Sequence, residues 1–423
     1  STSRSISHMS RAAATVLAGL SAVGALALGR RMLRRASGIA TAPKGLSPAA
    51  VALQVCAAGI EAASPRIAVS SALRTSPDGR TLYVRTGSVD GTGVGRDVEL
   101  DLGRYRRVLV LGAGKAAVEM AAAVEGVLGD RVTGGLVVTK DGHGAGPAAA
   151  SLRAVRVLEA SHPVSDERGV AAGRQMLELA SSACDRTLAL VVISGGASAL
   201  LCCPAPGLTL ADLQATTQAL LECGASIRQV NAVRKHLSAV KGGQLARALR
   251  PARVVSLILS DVVGDPIDVI GSGPTAPDPT TFDDAAAVLQ RFALASRLPP
   301  AVVDHLLRGA GAGAKADAGA RPADTPKPRD PLFRSVTNAV VGSNARSVAA
   351  AAERARALGY APLVLTTRLE GEARHVAATL CAIAKEAAAS GRPHAPPVAL
   401  IAGGETTVTL GPQAAAAAAG GGQ

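Results

Sequence analysis

The chain has 423 residues, enough for two or three domains with their own cores. Hydrophobic residues make up 48 % of it, yet aromatics are only 1 % and Trp is absent; the apolar mass is Ala, Val and Leu, which suits closely packed α/β layers and argues against a base-stacking, single-strand nucleic-acid binder. The formal charge of +13 is unevenly placed, because residues 1–48 hold seven of the 45 basic groups (Arg4, Arg11, Arg30, Arg31, Arg34, Arg35, Lys44) and no acid; the modest excess beyond them suits an enzyme handling anions and is not a DNA-binding footprint.

The first acidic residue is Glu61. A Ser/Ala/Arg-rich, acid-free start reads as a mitochondrial or chloroplast transit peptide over residues 1–48, leaving a soluble organellar protein with no membrane attachment after cleavage. The apolar stretch Ala12–Gly29 keeps a membrane anchor as the lesser alternative, since it is marginal in length and rich in Ala and Gly. Six cysteines show no C-x-x-C and no metal spacing, which implies buried reduced thiols and a reducing compartment.

Beyond the leader, Ser47-Pro48 opens a capped helix through Ala63, with Pro in the first turn. A buried strand at Arg107–Leu111 breaks into Gly112-Ala113-Gly114-Lys115, an Ala-rich helix follows, and a second strand appears at Gly135–Thr139. Further apolar runs at Leu188–Ile193 and Val254–Leu259 repeat the pattern. Continuous apolar strands alternating with helices predict a large doubly wound, Rossmann-like α/β domain over residues 49–307. Residues 308–332 are rich in Gly, Ala, Pro and charge and read as a linker or long mobile loop. After it the rhythm restarts: a strand at Asn338–Val341, a helix from Ser347 to Leu358, and strands at Pro362–Thr366 and Val398–Ala402. These predict a second, smaller α/β domain over residues 333–423.

Four segments could carry chemistry. In Gly112-Ala113-Gly114-Lys115-Ala116-Ala117, the glycines let backbone approach an anion and Lys115 would sit beside it; the same residues formally fit the dinucleotide fingerprint. In Ser194-Gly195-Gly196-Ala197-Ser198, successive small residues can aim amides inward as an anion nest, with Ser194 and Ser198 adding hydroxyls. Two such turns at strand C-termini of one sheet mark the edge where open α/β sheets bind ligands. In Asn231-Ala232-Val233-Arg234-Lys235-His236, the paired cations could meet a carboxylate or phosphate, or could simply form a solvated helix face. In the segment holding Asp261 and Asp265, a carboxylate just past a buried strand can hold Mg²⁺ or accept a proton from a hydroxyl. Smaller signals are Ser161-His162-Pro163, Gly342-Ser343-Asn344 and Gly403-Gly404-Glu405-Thr406-Thr407.

Taken in order, VLGAGKAA, GLVVTKDGHG, ASHPVSDERG, VVISGGASALL, IRQVNAVRKHLSAVKGGQLA, LILSDVVGDPIDVIGSGPTAPDPTTF, VVGSNARSVAAAAERARALGY, LTTRLEGEA and AGGETTVTL resemble the glycerate 2-kinase family from about residue 49 to Leu410. The resemblance implies ATP and Mg²⁺ as cosubstrates, D-glycerate as acceptor, 2-phosphoglycerate as product, and a site in a cleft between two domains. It puts Lys115 at the family's essential lysine. With the residue chemistry, it makes Lys115 and Asp265 the expected catalytic groups and Asp261 the expected metal ligand. The phosphate-binding set is then Gly112, Gly114, Ser194, Gly195, Gly196 and Ser198, and the substrate-binding set is Asn231, Arg234 and His162. Family members have been labelled hydroxypyruvate reductases, which keeps an NAD(P)H-dependent alternative open. The family's glycine-rich segment with a substrate-binding arginine, expected after the Gly-Gly-Glu-Thr strand, has no counterpart here, where Gly-Pro-Gln and an Ala run follow Leu410. That departure implies a truncated product or a catalytically impaired, ligand-binding form.

Overall fold

The computed structural model describes residues 46–87, 96–311 and 321–409, together with the backbone of Thr15–Leu20. Its strands in chain order are β1 (Thr15–Leu20), β2 (Leu73–Thr75), β3 (Thr81–Thr86), β4 (Arg96–Asp101), β5 (Arg107–Ala113), β6 (Gly134–Lys140), β7 (Val155–Ala160), β8 (Thr187–Ile193), β9 (Arg253–Leu259), β10 (Val336–Gly342), β11 (Ala361–Leu369) and β12 (Val398–Gly404). The chain divides into two compact units.

The larger unit is built on a six-stranded, all-parallel sheet in the order β10-β9-β8-β5-β6-β7. Counted within the sheet, the chain starts at the centre, winds outward through β6 and β7, then returns to wind the other way through β8, β9 and β10. This is the doubly wound order, and the reversal falls between β5 and β8. The central strands are apolar throughout because helices cover both faces; every residue of β8 is buried. Each fully buried Val or Leu there contributes about 1.5–3 kcal/mol. An antiparallel sheet β2-β3-β4 adds Leu82, Val84 and Leu100 to the core formed under helices Pro65–Ala72 and Ala117–Leu128. The buried Glu125 carboxylate accepts from the amides of Arg153, Ala154 and Val155 at 2.9–3.1 Å and so caps the start of β7, a purely structural role.

The smaller unit holds helices Pro48–Ala62, Asn344–Ala357 and Ala373–Ser390 and the parallel sheet β1-β12-β11. Ser47 caps the first helix as expected, its Oγ accepting from the Ala50 amide. Val51 and Val55 of that helix pack against Val348, Ala351 and Ile401.

Three boundaries differ from the sequence expectation. Helix Pro48–Ala62 belongs with the C-terminal elements, not with the large sheet, because its apolar stripe finds its partners there. Strand β10, expected to restart the second domain, instead pairs in parallel with β9 and completes the large sheet. The described residues 321–332 of the expected linker are anchored: Thr325 is buried, its Oγ1 donates to Asp278 Oδ2 at 2.9 Å, and Asp324 accepts from His236 at 2.9 Å. Lys327 also donates to the Thr280 carbonyl. These polar anchors, invisible to an apolar-residue count, hold the segment. Most of residues 1–48, together with residues 410–423, lies outside the described residues. Within residues 1–48, β1 pairs in parallel with β12. Among the described residues, no helix is long and apolar enough to cross a membrane.

Candidate active site

The two glycine turns follow β5 and β8, the adjacent strands on either side of the winding reversal, with Gly112 opposite Val192 and Ala113 opposite Ile193. They pack directly on one another. A Cβ on Gly112 would lie 2.0 Å from the Val192 carbonyl oxygen, and one on Gly114 would lie 2.2 Å from Ser194 Oγ. Gly114 also has φ 134°, a conformation that side chains disfavour. The first turn spends its amides on the protein. Gly114 N donates to Val138 O at 3.0 Å, Lys115 N to Gly195 O at 2.9 Å, Ala116 N to Ser194 Oγ at 3.0 Å and Ala117 N to Gly114 O at 3.1 Å. The expectation that Gly112 and Gly114 cradle a phosphate is therefore corrected: close packing of two turns explains both glycines.

The second turn is different. Among the described residues, the amides of Gly195, Gly196 and Ser198 donate to no group. Gly196 is left-handed at φ 84° and starts the one-turn helix Ala197–Leu200. Three free amides on a glycine turn form an anion nest. Ser194 is buried, with its Oγ committed to Ala116 N. Ser198 Oγ lies 2.8 Å from Ser272 Oγ, which donates to Asn231 Oδ1 at 3.2 Å.

Three side chains close over this turn because its glycines leave room. A Cβ on Gly195 would meet Asp261 Oδ2 at 2.2 Å; a Cβ on Gly196 would meet His162 Nε2 at 3.1 Å and Lys115 Cε at 3.3 Å. Lys115 is exposed and His162 half-buried. Burial, then the charges of Lys115 and Lys140, lower the His162 imidazole below its ordinary range, so it is neutral at pH 7. Desolvation raises the Asp261 carboxyl above the usual carboxylate range, against the pull of Lys115 and His162, although the residue keeps a solvent-open side.

The remaining expected residues separate. Asp265 lies in the same loop as Asp261, left-handed at φ 55°, but Asp261 is the carboxylate that reaches Gly195. Asn231 is buried and faces Ser272, so it supports the turn from behind rather than meeting a ligand. Arg234 is half-buried with Nη2 3.5 Å from the Ser198 carbonyl, too long for a firm hydrogen bond. Its neighbour Lys235 is 2 % exposed and sits 3.2 Å from both Asp268 and Asp278, so it is an internal ion-pair residue and no ligand contact. Sequence reasoning missed Lys140, whose charge bears on His162, and His143, whose Nδ1 lies 3.3 Å from Lys115 O. The signal for Lys140 was its place at the C-terminal end of a buried strand beside β5. It also missed Lys241; Ser272, in the Gly/Ser loop that follows Asp265 in sequence, sits at φ 60° between two left-handed glycines.

Mg²⁺ is commonly held by one or two carboxylates plus substrate phosphates rather than by an all-protein cage. Asp261 beside an anion nest fits that mode. Among the described residues, no group of three or more His, Cys, Asp or Glu side chains could hold a metal alone.

A family model described as a domain of unknown function (DUF4147) matches residues 51–307, more than half of the chain. A glycerate 2-kinase of Pyrococcus horikoshii is 38 % identical over 360 residues, spanning 85 % of this chain and 74 % of that protein. A putative hydroxypyruvate reductase of Agrobacterium vitis is 41 % identical over 304 residues, 72 % of this chain and 73 % of that one. The crystal structure of a glycerate kinase from Thermotoga maritima superposes with a TM-score of 0.68 at 34 % identity, covering 85 % of this chain and 75 % of that one. With these identities over most of its length and the shared doubly wound fold, the chain belongs to the glycerate kinase family.

Proposed function

We propose that the protein transfers the γ-phosphoryl group of ATP to the 2-hydroxyl of D-glycerate. The observation that carries this reading is the free amide set of Gly195, Gly196 and Ser198, overhung by Lys115 and flanked by Asp261. Phosphoryl transfer needs positioning and charge neutralisation more than covalent chemistry, and the turn supplies both. In this reading the amides receive phosphate oxygens, and Lys115 neutralises charge that builds on the transferred group. Asp261 holds Mg²⁺, which when bound neutralises and orients the phosphates. Asp265 orients the acceptor hydroxyl. His162, uncharged at pH 7, is a hydrogen-bonding partner for the substrate, and Arg234 a counter-charge for its carboxylate.

Hydride transfer is the alternative raised by the reductase name of some relatives. The G-x-G-x-x-A turn would have to offer its amides to a dinucleotide pyrophosphate, and those amides are already bonded within the protein. The geometry therefore favours kinase chemistry. Incubating the protein with ATP, Mg²⁺ and D-glycerate, with enolase added to dehydrate any 2-phosphoglycerate, tests the reading and the position of transfer together. Enolase-competent product is expected. NADH oxidation with hydroxypyruvate, and no phosphorylated product, would overturn it.

The acid-free composition of residues 1–48 supports import into an organelle, and a fusion of these residues to a reporter is expected to leave the cytosol. A diffuse cytosolic signal would refute that reading.

A further inference from the structure

Lys241 takes no part in the proposed transfer, yet it is one of the most enclosed charged groups beside the site. It is 3 % exposed, and its Nζ donates to the carbonyls of Ser198 at 2.6 Å and Leu201 at 2.8 Å. Those carbonyls belong to the far end of the same short turn whose near end carries the free amides of Gly195, Gly196 and Ser198. Arg234, half-buried, stands beside it, and its charge bears on the Lys241 amine. Among the described residues, no carboxylate forms an ion pair with either cation. The other titratable groups that face Lys241 are the thiols of Cys202 and Cys203, of which Cys203 is pushed further toward its neutral form by burial. Around one turn the protein therefore gathers the enclosed Lys241, the half-buried Arg234 and three unpaired amides, while the nearest carboxylate, Asp261 against Gly195, forms no ion pair with either cation among the described residues. Such an arrangement disfavours an ammonium while the turn is empty and favours it once an anion arrives.

We propose that Lys241 is a positioning residue for the anion-binding turn: it fastens the turn through the Ser198 and Leu201 carbonyls and gains a proton when an anion settles on the amides at the other end. The inference rests on the kinase reading of the site. Burial and the adjacent Arg234 charge bring the Lys241 amine down to about 7, so at pH 8 it is mostly neutral in the ligand-free protein. His162 overhangs the same amides, so comparison with Lys241→Met separates the Lys241 proton from any that His162 takes up. An anion at the turn favours the ammonium, so binding at pH 8 draws a proton from solution.

The test is calorimetric titration of the full chain at pH 8 with D-glycerate, and separately with ATP, in two non-phosphate buffers of different ionisation heat. At least one ligand is expected to bind with uptake approaching about one proton per site. Lys241→Met is expected to abolish the uptake and raise KM about tenfold, the effect of losing a charge-assisted contact. Lys241→Arg, charged at every pH, is expected to keep KM within a few-fold of wild type and also to show no uptake, which a merely structural role would not produce. Binding by the wild type with no proton uptake would overturn the role of Lys241 and leave the kinase reading standing. A folded wild type that binds neither ligand would overturn the kinase reading and this inference with it.

Discussion

Replacing Lys235 by Met removes the cation from a nearly closed network. Lys235 is 2 % exposed and Asp278 fully buried. Without the ammonium, the Asp278 carboxylate keeps the Thr280 amide at 3.0 Å, the Thr280 hydroxyl at 2.7 Å and the Thr325 hydroxyl at 2.9 Å. Breaking one side of a buried ion pair typically costs 3–5 kcal/mol, because the remaining charge is left uncompensated. The three surviving hydrogen bonds put the expected loss at the low end, about 3 kcal/mol. The chain has no Trp, so urea unfolding is best followed by far-UV circular dichroism, in the transition of the larger unit. The double variant Lys235→Met/Asp278→Asn removes both charges and should recover roughly half of that loss, a coupling of the size seen for contacting residues. If Lys235→Met costs less than about 1 kcal/mol in a cooperative transition, the pair does not carry the buried charge assigned to it.

Three further outcomes follow from named contacts. Gly112→Ala drives a Cβ to 2.0 Å from a strand carbonyl and should lose about 2–3 kcal/mol through overpacking and a stretched ladder, read as a lowered urea midpoint. Glu125→Ala strands three amides at the start of β7 and should cost about 2–4 kcal/mol, with faster hydrogen exchange at residues 153–155. Lys241 binds a proton less readily folded, at about 7, than unfolded, at 10.5. The unfolded chain therefore holds more protons between those values, and stability should rise with pH across that window, with the rise reduced in Lys241→Met.

The strands bordering the site were legible because local pattern dictates them. β5 and β8 are unbroken apolar runs that end in glycine, and burial on both faces leaves no alternation to confuse. β7 escaped because it is an edge strand, with polar Arg156 and Glu159 among its apolar residues. The hairpin sheet β2-β3-β4 escaped for a similar reason, since Arg, Asp and Glu fill its solvent face. The sheet to which β10 belongs is decided by pairing across some eighty residues of chain, which no local signal encodes. At the candidate site, residue types picked out both glycine turns but could not say which held free amides, since that depends on Ser194 and Val138 reaching back to the first turn. Arg234 and Lys235 look alike in sequence; only the positions of Asp268 and Asp278 separate a cation facing the turn from one locked in the interior.

In the proposed reaction Lys115, above the free amides of the second glycine turn, neutralises charge during phosphoryl transfer to glycerate. Its side chain is exposed and lies over Gly196, so Lys115→Met should leave the unfolding transitions within about 0.5 kcal/mol of wild type, as is usual for an exposed position. The direct measurement is the ATP-dependent formation of 2-phosphoglycerate by the two proteins side by side. kcat is expected to fall by about a hundredfold or more in the variant, the loss of one cationic transition-state contact. Equal turnover by Lys115→Met and wild type would contradict that role of Lys115.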